Sequence, residues 1–122
     1  MKKILVVQSS ELLRRYICEK LEKLGFEVLS AKDGFDGLIK LKNAIPDLVI
    51  MDLVLNRLSG MDFIREKKQY KNVSDIPVIL LSNKIDRLII ERLIFYKVTK
   101  IISKPVKVDL LFNAVSETLK VP

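Results

Sequence analysis

The chain has 122 residues, of which 49% are apolar and 30% charged, with one cysteine, no histidine and a formal charge of +7. That apolar share over that length supports a single domain with a sizeable core and argues against disorder. A lone Cys18 excludes an internal disulfide and a cysteine metal cluster, and the lack of histidine excludes His-based acid–base catalysis and His-ligated zinc.

Met1-Lys2-Lys3 leads straight into Ile4-Leu5-Val6-Val7, a β-branched apolar run that reads as a central strand over 3–7. No signal peptide is expected from this start. No apolar run reaches the length that spans a bilayer, so a cytoplasmic chain with no membrane contact is expected. The strand ends at Gln8-Ser9-Ser10, where Ser9 or Ser10 can cap the next helix. From Glu11 to Leu24, Leu13, Ile17, Leu21 and Leu24 recur at helical spacing and are expected inward. Gly25 ends that helix. Cys18 falls off its main apolar face, with no neighbour that would activate the thiol.

Glu27 to Ala31 reads as a second strand, and Lys32-Asp33-Gly34 turns the chain. A helix over about 35–43 buries Leu38 and Leu41, and Pro46 closes it. Leu48-Val49-Ile50-Met51 then runs unbroken into Asp52. Such a run is a strand buried on both faces of a parallel sheet, with the carboxylate at its carboxyl end. A helix over 61–68 directs Phe63 and Ile64 inward. Ile76 to Leu81 is a fourth strand ending at Ser82-Asn83, with Pro77 tolerated near its start. A helix from Asp86 to Tyr96 follows, then a strand from Thr99 to Ser103 ending at Lys104-Pro105. The last helix, 108–119, carries Leu111, Ala114 and Val115 inward. Pro122 beyond it suits the start of a linker, so 1–122 reads as one domain that could form the N-terminal part of a longer protein.

Strict alternation of strands and helices predicts an α/β fold: a three-layer, doubly wound, five-stranded parallel sheet with right-handed crossovers. Gln8-Ser9, Asp52, Ser82 and Lys104 all end strands on the same sheet edge, and such ends converge on one crevice. The basic residues are spread over several helices among acidic ones, with no aromatic-interleaved stripe, so nucleic-acid binding is not expected of this domain.

The ordered set of Asp52 after Leu-Val-Ile-Met, Gly60, Ser82 after Ile-Leu-Leu, and Lys104-Pro105 resembles the receiver domains of bacterial two-component response regulators, over essentially the whole chain. The resemblance implies the flavodoxin-like receiver fold and a role in phosphorelay signalling rather than as an enzyme. It also implies that Asp52 is the phosphoacceptor for a histidine kinase, and that Ser82 and Lys104 contact the phosphoryl group. A cis bond before Pro105 would fit it as well. Mg²⁺ in that family is held by an acidic pair after the first strand, by the acceptor aspartate and by the carbonyl matching Val54.

Here the acidic pair is replaced by Gln8 and Ser9. Mg²⁺ favours charged oxygen ligands and sheds water reluctantly, so its binding is expected to be weak or absent, and no cofactor is assigned. Smaller departures are Asn83 for a small residue, Ile101 for a switching aromatic, Lys97 for glycine and Asn56 for proline. Without a metal, Lys104 is expected to pair directly with Asp52; the alternative is that Gln8 and Ser9 bind Asp52 and leave Lys104 in water. The reading is therefore an atypical receiver, or pseudo-receiver, that acts mainly by protein contact. The alternative is a working phosphoacceptor at Asp52. In the helix at 86–96, Leu88, Ile89, Leu93 and Tyr96 make an inward stripe, while Ile90 and Ile94 project elsewhere. Those two are expected in a contact with a protein partner, a histidine kinase or a second copy, through the helix at 86–96, the strand at 99–103 and the helix at 108–119.

Overall fold

The structure, a computed structural model, describes residues 1–83 and 86–121. Strands β1 (Lys3–Val7), β2 (Glu27–Ala31), β3 (Leu48–Asp52), β4 (Val78–Ser82) and β5 (Lys100–Ser103) alternate with helices α1 (Glu11–Lys23), α2 (Gly34–Ala44), α3 (Gly60–Lys67), α4 (Arg87–Phe95) and α5 (Val108–Leu119). All strand pairs are parallel, in the order β2-β1-β3-β4-β5. This is the doubly wound sheet that the alternation implied. The linker expected to start at Pro122 lies outside the described residues.

The three central strands are apolar on both faces because both faces are covered. In β1, Ile4 and Val6 pack toward α1 and α5, while Leu5 and Val7 pack toward α2, α3 and α4. β3 divides the same way, with Leu48 and Ile50 on one side and Val49 and Met51 on the other. The outer strands carry charge at their exposed positions, Glu27 on β2 and Lys100 on β5, where a bare edge would otherwise invite pairing. Lys100 is held at 2.7 Å from Glu117 of α5.

Two residues expected inside are outside. Leu24 is 56% exposed because the helical phase stops before it acts. Gly25, at φ 96°, donates to the Glu22 carbonyl, and Phe26 donates to the Leu21 carbonyl. This left-handed termination folds Phe26, not Leu24, back onto the α1–α5 layer. Leu88 is 58% exposed, since the buried face of α4 is set by Ile89, Leu93 and Tyr96 at spacings of four and seven. Cys18 is half-buried, and burial pushes its thiol up to about 11, consistent with an unactivated thiol. Lys97, in the place where the resemblance expects glycine, adopts the left-handed conformation at φ 57° that glycine would take without penalty.

Lys67 was not singled out by the sequence, yet it is 4% exposed. Its amine donates to the Ser74 carbonyl at 2.8 Å. Burial, followed by the neighbouring Lys68 charge, pushes this amine down to about 8, against a small opposing effect of Asp75. Between pH 8 and the ordinary 10.5, the unfolded chain therefore binds more protons at this site than the folded one. Stability from Lys67 must rise with pH across that window. Urea unfolding should show this rise in the native chain and lose it in Lys67→Met; a rise of the same size in the variant would contradict the assignment.

Candidate functional site

The strand order reverses between β1 and β3, and the crevice at their carboxyl ends is where open α/β sheets gather reactive groups. β1 delivers Gln8 and Ser9 there, β3 delivers Asp52, β4 delivers Ser82, and the turn after β5 delivers Lys104. Gln8, Asp52 and Ser82 are all buried, at 2%, 5% and 4% exposure. A carboxylate so enclosed needs donors around it.

Among the described residues, Lys104, Gln8 and Val54 all donate to Asp52. The Lys104 amine forms a direct ion pair with its Oδ2. The Gln8 side-chain amide donates to the same oxygen at 3.2 Å. The Val54 backbone N–H reaches Oδ1 at 3.4 Å. The expected Lys104–Asp52 pair is thus present, but the opposition drawn from the sequence between Lys104 and Gln8 fails: both share one oxygen. Ser9 takes no part. Its Oγ instead accepts the Asn56 N–H at 3.3 Å. A proline at 56 would have no N–H to offer, so the Ser9 and Asn56 departures form one contact.

The Gln8 amide is oriented from both ends. Its Oε1 accepts the Ser10 N–H at 3.1 Å, which leaves the NH₂ facing Asp52. The Arg14 guanidinium on α1 donates to the Gln8 carbonyl at 2.8 Å and pins the strand end. Ser10 caps α1 by accepting the Leu13 N–H. Among the described residues, no three His, Cys, Asp or Glu side chains gather in a way that could hold a metal ion.

Sequence reasoning missed a clasp beside this crevice. Arg57, at φ 68°, places its guanidinium 3.5 Å from Asp33 and 4.7 Å from the Phe35 ring centre. Asp33 caps α2, and the Asp36 N–H, ahead of the Arg57 charge, holds its carboxyl below the usual range. Gly34 lies so close to the Leu58 carbonyl that a Cβ would sit 1.9 Å from it. The loop after Asp52 is therefore tied to the loop before α2. The Lys104–Pro105 bond is cis, as the resemblance implied.

Away from the crevice, Ile90 and Ile94 are exposed at 40% and 69%, and Ile101 of β5 lies exposed as well. Phe95, at 75%, is a further exposed apolar side chain of α4 that the periodicity did not single out. No helix among the described residues is long and apolar enough to cross a membrane.

The family description "Response regulator receiver domain" matches residues 4–116. The chain is 28% identical over 119 residues to the sensor histidine kinase CheAY of Helicobacter pylori, covering 96% of this chain and 15% of that protein. It is 34% identical over 82 residues to protein PilG of Pseudomonas aeruginosa, covering 67% of this chain and 61% of that one. A response regulator receiver domain protein from Clostridium thermocellum superimposes with a TM-score of 0.86 at 31% identity, covering 98% of this chain and 95% of that chain. The chain thus spans less than two thirds of these two curated relatives. It belongs to the response regulator receiver domain family.

Proposed function

We propose that this receiver domain is an atypical one, working in phosphorelay signalling through protein contacts and without Mg²⁺-dependent phosphorylation of Asp52. The observation that carries this reading is the set of donors around Asp52. The side chains at the family's metal-ligand positions have turned to other work: the Gln8 NH₂ faces the carboxylate and the Ser9 hydroxyl is taken by Asn56. What is left for a hard dication is one carboxylate, already paired with Lys104, and neutral oxygens. These residues do not fit Mg²⁺.

The Asp52–Lys104–Gln8 arrangement satisfies the buried charge internally, so the crevice is held in one state. Signalling would then depend on shape and surface. A histidine kinase or another signalling protein meeting Ile90 and Ile94 of α4, together with β5 and α5, is the partner this surface supports. The second reading, a working phosphoacceptor, is favoured by one observation: Asp52, Ser82 and Lys104 are all retained at the strand ends.

Incubation with Mg²⁺ and a small phosphodonor, followed by mass spectrometry of the intact chain, separates the two. The proposal expects no phosphoryl increment above that of Asp52→Ala. A stoichiometric increment in the native chain that is lost in Asp52→Ala would establish the second reading.

A further inference from the structure

The α4 flank facing α3, opposite Ile90 and Ile94, holds a second apolar stripe. Leu88 and Phe95 are exposed at 58% and 75% and line one shallow groove of about 450 Å³ with Glu91, Arg92 and Arg65. Phe95 is braced edge-on by Tyr96, with ring centres 5.1 Å apart. Residues 88, 91, 92 and 95 recur at spacings of three, four and seven, so they share one helix face, about 10.5 Å from end to end.

The order of that face is apolar, acidic, basic, apolar. Reversed in direction, it reads as its own complement. If a second α4 is laid antiparallel with a two-fold axis between Glu91 and Arg92, Leu88 meets the other Phe95 and Glu91 meets the other Arg92, each contact occurring twice. A face that complements itself in this way is what an isologous dimer requires. Arg92 makes no ion pair among the described residues, whereas Arg65 is already bound to Asp62 at 3.0 Å and Glu91 has only a loose 3.6 Å contact with the exposed Arg87. The charge left open on this face is thus the one a second copy would satisfy.

We infer that two copies of this chain associate through antiparallel α4 helices, with Leu88 on Phe95 and Glu91 on Arg92 across a two-fold axis. This surface differs from the one proposed above for Ile90 and Ile94, and the inference stands whether or not Asp52 is phosphorylated. One helix pair buries less than the roughly 1,000 Å² of a stable interface, so the dimer is weak and concentration-dependent.

Sedimentation equilibrium of the full chain over a concentration series tests it. The native chain should show a reversible monomer–dimer equilibrium. Glu91→Arg and Arg92→Glu should each weaken it about tenfold or more, because like charges then meet across the axis. Glu91→Arg with Arg92→Glu in one chain should restore it to within about threefold, and an equal mixture of the two single variants should form the mixed dimer. Ile90→Asp with Ile94→Asp should leave the association unchanged. A native chain that stays monomeric, a double swap no better than either single variant, or a dimer lost through Ile90→Asp and Ile94→Asp would each overturn the inference. Circular dichroism of every variant confirms that these exposed positions leave the fold intact.

Discussion

A chain carrying Gln8→Asp and Ser9→Asp together is expected to gain Mg²⁺ affinity of about a hundredfold or more, and with it phosphodonor-dependent labelling at Asp52. The estimate follows from charge. Each restored carboxylate adds about 1–4 kcal/mol of attraction for a cation at separations of a few ångström, and every 1.4 kcal/mol is tenfold in affinity. The change also frees the site in two ways. Losing the Gln8 amide removes a donor from Asp52 Oδ2, and losing the Ser9 hydroxyl releases the Asn56 N–H. The acceptor and Lys104 need no repair, because both already stand at their strand ends. Calorimetric titration with Mg²⁺ and intact mass after phosphodonor treatment check this. A double variant that binds Mg²⁺ no better than the native chain would show that charge at these two positions is not what limits the site.

The second large effect concerns stability. Asp52 is almost wholly buried, with a side chain 7% exposed, while that of Lys104 is 18% exposed. Removing the cation strands a buried anion; removing the anion leaves a lysine that can reach water. Lys104→Met should therefore cost about 3 kcal/mol, partly relieved by the Gln8 and Val54 donors. Asp52→Asn keeps an acceptor for Gln8 and should cost about 1 kcal/mol or less. The double variant, with neither charge, should recover most of the loss from Lys104→Met. Urea unfolding of the three variants measures the coupling directly, and equal costs for the two single changes would contradict the asymmetry.

Much of the architecture was legible because the fold rests on patterns that leave marks in sequence. The unbroken runs at Ile4–Val7 and Leu48–Met51 mark central strands, and their polar ends mark the crevice. β2 and α5 fall where the residues placed them. The misjudged positions lie where helical phase alone decides. Leu24 continues the spacing of α1, but a left-handed termination at Gly25 outranks that spacing. Leu88 belongs to an α4 that is apolar on three flanks, and apolarity cannot say which of them faces the sheet.

The site divides along the same line. Charge found the Lys104–Asp52 pair, since one cation and one buried carboxylate at strand ends on the same edge of the sheet leave few alternatives. It did not find Gln8 sharing the same oxygen, because an amide can face either way and only the Ser10 N–H settles its direction. Nor could it find the Arg57–Asp33 clasp or the buried Lys67, which depend on loop paths that carry no periodicity.

Titration of the native chain with Mg²⁺, followed residue by residue through backbone amide NMR shifts, tests the account at its centre. No saturable movement is expected at Gln8, Asp52 or Val54 up to about 10 mM, well above where a site with its full set of carboxylates would fill. A saturating shift at those three amides below about 1 mM would contradict it.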